Sequence, residues 1–174
     1  LSMFFLLLVS LIPIGIGTKY YVELQHNKRN HEQLKEKMQS VIVEIEHKLD
    51  DENELSENLS DYLTYLLTKF SYVFFTDLSL YDTEGNLIAS SRQEIFNNGL
   101  IGNKMNPIAF DALSEAQKPD FIQNENIGEL DFLSAYIPFR NRDNKLLAYL
   151  NLPYFAKEGE LRKEISTLVV ALIN

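Results

Sequence analysis

Leu130–Phe155 reads LDFLSAYIPFRNRDNKLLAYLNLPYF. Two apolar, aromatic-rich runs flank Arg140-Asn141-Arg142-Asp143-Asn144, the pattern of a β-hairpin with a longer loop. Side chains alternate across a strand. Phe132, Ser134 and Tyr136 therefore share one face of the first arm, and Leu133, Ala135, Ile137 and Phe139 share the other. On the second arm Leu146, Ala148, Leu150 and Leu152 oppose Leu147, Tyr149 and Asn151. Each arm thus has one apolar face and one face bearing hydroxyls or an amide. Such a hairpin suits a sheet that packs on a helix through its back and looks into a pocket through its front.

The flanking chain supplies the partners. Asp77–Asp82 alternates as a strand, and Thr83-Glu84-Gly85-Asn86 is a turn with Gly where a positive φ is needed. Asn86–Ser91 then returns as the partner strand. Residues 92–105 contain Gly99, Gly102 and no clear period, and read as a loop over the sheet. Asn106 as N-cap with Pro107 at the first helical position opens a helix. Ile108, Ala112, Leu113 and Ala116 give it a face, and it stops near Lys118-Pro119. Asp120–Asn126 reads as a third strand with a turn at Gly128, so the opening hairpin completes five. Upstream, Thr18–Leu49 reads as a long helix with Leu34, Met38, Val41, Ile42, Ile45 and Leu49 on one face. Its more polar part, Tyr21–Gln33, reads as a stalk, solvated alone or paired with a second subunit. Asp50–Glu54 interrupts the pattern. A second helix follows with Leu59, Tyr62, Leu63, Leu66 and Phe70 at helical spacing. Helices and strands that do not alternate regularly predict an α+β fold with an antiparallel sheet.

The 174 residues amount to one domain with appendages, and 45% hydrophobic against 24% charged residues supports a core. A net charge of −9 argues against nucleic acid as a partner, because phosphate binding needs a basic surface. With no cysteine there is neither a disulfide framework nor a Cys-based metal site. Residues 1–17, LSMFFLLLVSLIPIGIG, are uncharged and would span roughly 25 Å as a helix, slightly short of a ~30 Å hydrocarbon layer. They read as a transmembrane segment cut at its front end. The competing reading is a signal peptide with Gly15-Ile16-Gly17 at its cleavage site. Lys157–Ile165 returns to helix, and Ile165–Asn174 is apolar again. The expectation is an acidic domain bracketed by two membrane helices, with the working part of a longer protein beyond Asn174.

Asp77–Ser91 has the form strand, D-x-x-G, strand, S-S. Leu133–Leu152 has the form apolar-S-x-Y-x-P, polar turn, apolar strand. With a long helix ahead of both, the chain over roughly 20–160 resembles the extracytoplasmic single Cache (PAS-like, PDC) sensor domains of bacterial membrane receptors. Its style is most similar to sensor histidine kinases of Bacteroidetes-type bacteria. The resemblance implies an α+β fold in which a long N-terminal helix packs on a central antiparallel five-stranded PAS-like sheet flanked by membrane-helix remnants. It divides the chain into a partial transmembrane segment 1–17, a stalk and long helix 18–49, the sensor domain 50–160, and an exit helix entering a second membrane segment over 161–174. Two bundled membrane helices per subunit further predict a homodimer seamed along the Tyr21–Met38 stalk. Amino-acid-binding double Cache domains carry an Arg-x-Trp pair. This chain has no Trp and is too short for two modules, so that specificity does not carry over.

Chemistry is sparse. His26, His31 and His47 lie on the first helix without the i, i+4 pairing of a helical metal site. Nucleophile elbows, Gly-rich phosphate loops and H-E-x-x-H are missing. The segment is therefore expected to catalyse nothing and to need no cofactor or metal. In PAS-like domains the pocket lies between one sheet face and its cover, here 92–117. That places Ser134 and Tyr136 from one arm, Tyr149 and Asn151 from the other, and Tyr81 and Ser91 from the first hairpin around a small-molecule site. Arg92, just past the strand end, is the cation that would meet an anionic ligand such as a carboxylate. The competing reading makes the tyrosines core residues with their hydroxyls at the rim. Function then divides between a sensory module that relays binding to membrane helices and a membrane-anchored protein-interaction scaffold. Chemoreceptors and cyclic-dinucleotide enzymes are further outputs that such a sensor can serve.

Overall fold

The computed structural model describes residues 2–49, 55, 59–99, 101–128 and 130–154; the side chains of 2–12, 15, 23 and 130 lie outside that description. The expected acidic break Asp50–Glu54, exit helix Lys157–Ile165 and apolar end 165–174 also lie outside the described residues. By contacts the chain divides into two units, Leu1–Gln33 and Leu34–Asn174.

Helix α1 runs Ser2–Leu49, with Pro13 inside it. It thus begins well ahead of Thr18, where the sequence pattern placed its start, because nothing between the apolar run and the polar stretch breaks helical geometry. In the first unit Tyr20, Tyr21, Val22 and Leu24 are exposed. Among the described residues no helix is long and apolar enough to cross a membrane. The second unit opens with the C-terminal part of α1, where Leu34, Met38, Val41, Ile42, Ile45 and Leu49 are all buried, as their single-face spacing predicts.

Helix α2 (Ser60–Phe74) buries Leu63, Leu66, Leu67 and Phe70. Tyr62, expected on that face, is exposed instead, since burial follows the i, i+3, i+4, i+7 positions that begin at Leu63. The helix ends at Phe75 in the left-handed conformation (φ +50°), whose N–H donates to the Ser71 carbonyl. Five strands follow with two short helices among them: β1 (Ser79–Tyr81), β2 (Leu87–Ser90), α3 (Gln93–Asn97), α4 (Pro107–Ser114), β3 (Phe121–Ile127), β4 (Leu130–Arg140) and β5 (Leu146–Tyr154). The expected loop 92–105 therefore contains one helical turn, α3, which anchors through buried Phe96. Helix α4 begins as predicted, with the Asn106 side chain accepting the Ile108 N–H at 3.0 Å and Pro107 next. Ile108 is exposed, however, and Ala109, Ala112 and Leu113 form the buried face.

The strands make one antiparallel sheet in the order β2-β1-β5-β4-β3. The expected α+β architecture with five antiparallel strands is the observed one, and it is consistent with a PAS-like fold. The hairpin arms β5 and β4 take the third and fourth positions, so each has a neighbouring strand on both sides. On the back of the sheet Leu80, Ala135, Ile137, Phe139, Ala148, Leu150 and Leu152 join the buried faces of α1 and α2 in the main core. Alternation breaks in the β1–β2 pair at Leu80/Tyr81 and again in the β4–β5 pair. Phe139 pairs with Ala148 while Arg140 pairs with Leu146, so Leu147 is the extra residue of a bulge. Leu147 consequently turns into the main core, and Leu146 packs with the front cluster. This exchanges the faces assigned to those two residues by period-two counting.

Candidate functional site

The front of the sheet carries Tyr81, Tyr136 and Tyr149, which pack under Met105, Ala109 and Leu113 of the cover. The cover is held at a defined height by the β1–β2 turn. Asp82 Oδ1 accepts the N–H groups of Glu84 and Asn86 at 2.9 and 2.8 Å. Gly85 takes φ +80°, and a Cβ there would stand 3.1 Å from the Phe110 ring of α4. The Gly85 carbonyl accepts the Met105 N–H at 2.8 Å, while the Leu87 N–H donates to the Asn103 carbonyl at 2.8 Å. The D-x-x-G turn thus pins residues 103–105, and with them Lys104, over the sheet.

Beside the packed tyrosines lies a cavity of about 610 Å³. Ser79, Tyr81, Ser90, Gln123, Glu125, Tyr136 and Asn151 line its sheet side; Ile95, Phe96, Ile101, Lys104, Asn106 and Ile108 line its cover. Asp77, Asn124, Asn126, Asp131, Phe132 and Pro153 also line it, so polar groups of the sheet face a cover that mixes apolar and polar side chains.

Of the seven residues expected around a ligand, the structure brings three to the cavity wall: Tyr81, Tyr136 and Asn151. Ser134 is fully buried beneath them, and its hydroxyl accepts from Asn151 Nδ2 at 2.7 Å. That amide also donates to the Ala135 carbonyl at 3.2 Å, so Asn151 is held rigidly. Tyr149 is 1% exposed and packs edge-on against Phe110, with ring centroids 5.8 Å apart; it is a core residue. Ser91 points away from the cavity. Its hydroxyl accepts the Leu78 N–H at 2.9 Å, while Ser90, paired with Ser79 in register, takes the front position, their Oγ atoms 3.1 Å apart. Arg92 does not line the wall either, because its Nε pairs with Asp77 at 3.1 Å.

The wall residues that sequence reading missed include Ser79 and Glu125. Ser79 shares the period-two face of Tyr81 and was readable by counting. Glu125 was not, because only the register of β3 on β4, with Glu125 opposite Phe132, puts it in front. Its Oε1 accepts both the Tyr136 hydroxyl and Gln123 Nε2, each at 2.7 Å. Burial, then the adjacent Glu125 charge, pushes the Tyr136 hydroxyl far above the ordinary tyrosine range, and the same two causes raise Tyr81. Both remain protonated donors at any ordinary pH. Burial raises Tyr149 as well, against the opposing pull of Arg140. Among the described residues no group of three His, Cys, Asp or Glu is placed to hold a metal ion.

No family model and no curated protein matches the sequence. Among solved structures, the fold is similar to the sensor domain of the Vibrio cholerae histidine kinase DctB at 16% identity and TM-score 0.46, covering 72% of this chain and 54% of that one. The chain therefore spans about half the length of that structure. It is similar also to the E. coli DcuS sensor domain at 9% identity and TM-score 0.48, covering 72% of this chain and 93% of that one. A V. cholerae sensory box sensor histidine kinase resembles it at 15% identity and TM-score 0.32, covering 59% of this chain and 98% of that one.

Proposed function

We propose that this chain is an extracytoplasmic sensing domain of a transmembrane signal-transduction receptor, of the sensor histidine kinase kind, and that it catalyses nothing itself. The supporting observation is the cavity, whose wall includes Asn151 and Pro153 of β5. One residue further on, Tyr154 lies under Lys37 of α1, with Nζ 5.5 Å from the ring centroid. Lys37 Nζ also donates to the Phe75 carbonyl at the end of α2, at 3.4 Å. A ligand that displaces the front of β5 therefore acts on the strand end that α1 grips. In this reading 1–17 and 161–174 enter the membrane, the polar part of α1 is a stalk, and two copies associate along Tyr21–Met38. Binding shifts α1 against the segment following β5, and that requires differential affinity for two helix arrangements. Tyr81, Tyr136 and Asn151 are the proposed ligand contacts, Ser134 positions Asn151, and Arg92 acts through Asp77.

The protein-interaction reading has one observation in its favour: Tyr62, Tyr65, Tyr72 and Val73 of α2 and Phe75 at its end are all exposed. A thermal-shift screen of small molecules separates the two, because anything that binds the folded state alone stabilises it by mass action. The expected outcome is a concentration-dependent rise in Tm for one chemical class, lost in Tyr136→Ala although that variant still unfolds cooperatively. Unchanged ligand response in both Tyr136→Ala and Arg92→Ala removes the pocket from this position.

A further inference from the structure

Glu125 stands out among the charged groups of the cavity because, among the described residues, its negative charge has no counter-cation. Asp77, the half-buried carboxylate at the other margin, is neutralised by Arg92 at 3.1 Å. Glu125 receives only neutral donors, the Tyr136 hydroxyl and the Gln123 amide, and both converge on Oε1. Among the described residues Oε2 has no partner, while the carboxylate itself is partly buried in the cavity wall. The two neutral donors occupy Oε1 alone, which leaves Oε2 able to accept from a ligand in the cavity. Their arrangement does orient the group. With Oε1 held from two sides, the rotation of the carboxylate is set before any ligand arrives.

The remaining charges point the same way. Among the described residues Glu125, Asp77 and Asp131 line the cavity against a single lining cation, Lys104, which is exposed. Arg92, which would have met an anion, already spends its guanidinium on Asp77. The chain's net charge of −9 adds a long-range field that draws cations and repels anions. The donor set also disfavours a metal ion, since no three metal-ligating side chains gather among the described residues.

We infer that the cavity takes an organic cation, a small molecule whose primary ammonium group pairs with Glu125. This rests on the reading of the cavity as a sensory pocket. The ammonium donates to Oε2 while the Asn151 amide and the Ser79 and Ser90 hydroxyls meet the rest of the ligand. Charge-assisted hydrogen bonds of this kind are the strong ones, and partial burial spares them from much of the screening by salt.

The test compares two four-carbon probes of opposite charge, 1,4-diaminobutane and succinate, on the intact chain by calorimetric titration and thermal shift. The variant is Glu125→Gln, which keeps an oxygen to accept from Tyr136 and so retains the wall. The expected result is saturable diamine binding with a rise in Tm, no response to succinate, and about tenfold or greater loss of diamine affinity in E125Q. Three results overturn the inference: diamine binding equal in E125Q and wild type, binding of succinate in place of diamine, or binding of neither. The second leaves the sensory pocket standing with an anionic ligand. The third, if extended to a broad screen without a hit, removes the sensory reading as well.

Discussion

At the scale of single residues, the site depends on positions whose side chains, or lack of one, have a single physical solution. Gly85 is the clearest. Its φ of +80° lies in the region that L side chains avoid, and a Cβ would press to 3.1 Å from Phe110, the ring that closes over Tyr149. Gly85→Ala is expected to destabilise the domain by about 1–3 kcal/mol, read as a lowered midpoint in urea denaturation with an unchanged slope. This requirement was legible in the sequence, because D-x-x-G between two alternating runs names both the turn and the residue that must be glycine. The role of Glu125 was not legible. Nothing in Gln123-Asn124-Glu125-Asn126 separates an acidic residue facing solvent from one facing a cavity. That choice is made by register, since a slip of one residue would send Glu125 to the other face.

At the scale of elements, the five strands and the buried stretch of α1 follow from periodicity, and their small departures from it come from packing. Period-two counting put Leu146 at the back and Leu147 in front. The bulge opposite Phe139 reverses them, with Leu147 6% exposed inside the main core and Leu146 only partly buried. Leu147→Ala is expected to cost about 2–5 kcal/mol in chemical denaturation, and Leu146→Ala less than half as much. Equal costs, or the reverse order, would contradict the bulge. The same limit explains Tyr62 and Ile108. Each fits a helical face by spacing, yet each is exposed, because spacing defines a stripe and only the neighbouring element decides how wide a stripe is covered.

At the scale of the whole molecule, alkaline pH probes the front of the sheet as a unit. Tyr81, Tyr136 and Tyr149 all have hydroxyls raised above the ordinary value, chiefly by burial. A raised folded-state value means that the folded chain holds these protons where the unfolded chain has released them. The stabilisation is complete below about pH 10 and is lost as pH climbs toward the folded-state values. Denaturation midpoints should therefore hold steady up to about pH 9 and fall beyond about pH 10, with a shallower fall in Tyr136→Phe. By itself the sequence determined the α+β class, the five strands, the back face of the hairpin, the apolar stripe Leu34–Leu49, the capped start of α4 and the glycine turn. Each of these is a local matter of alternation, helical spacing or backbone sterics. Tertiary structure alone decided which polar side chains meet. It put Arg92 on Asp77, turned Ser91 to Leu78 and Ser90 to the cavity, buried Tyr149 under Phe110, and set Glu125 in the wall with Tyr136. These pairings join residues far apart in the chain or hinge on strand register, and neither can be read from neighbours along a sequence.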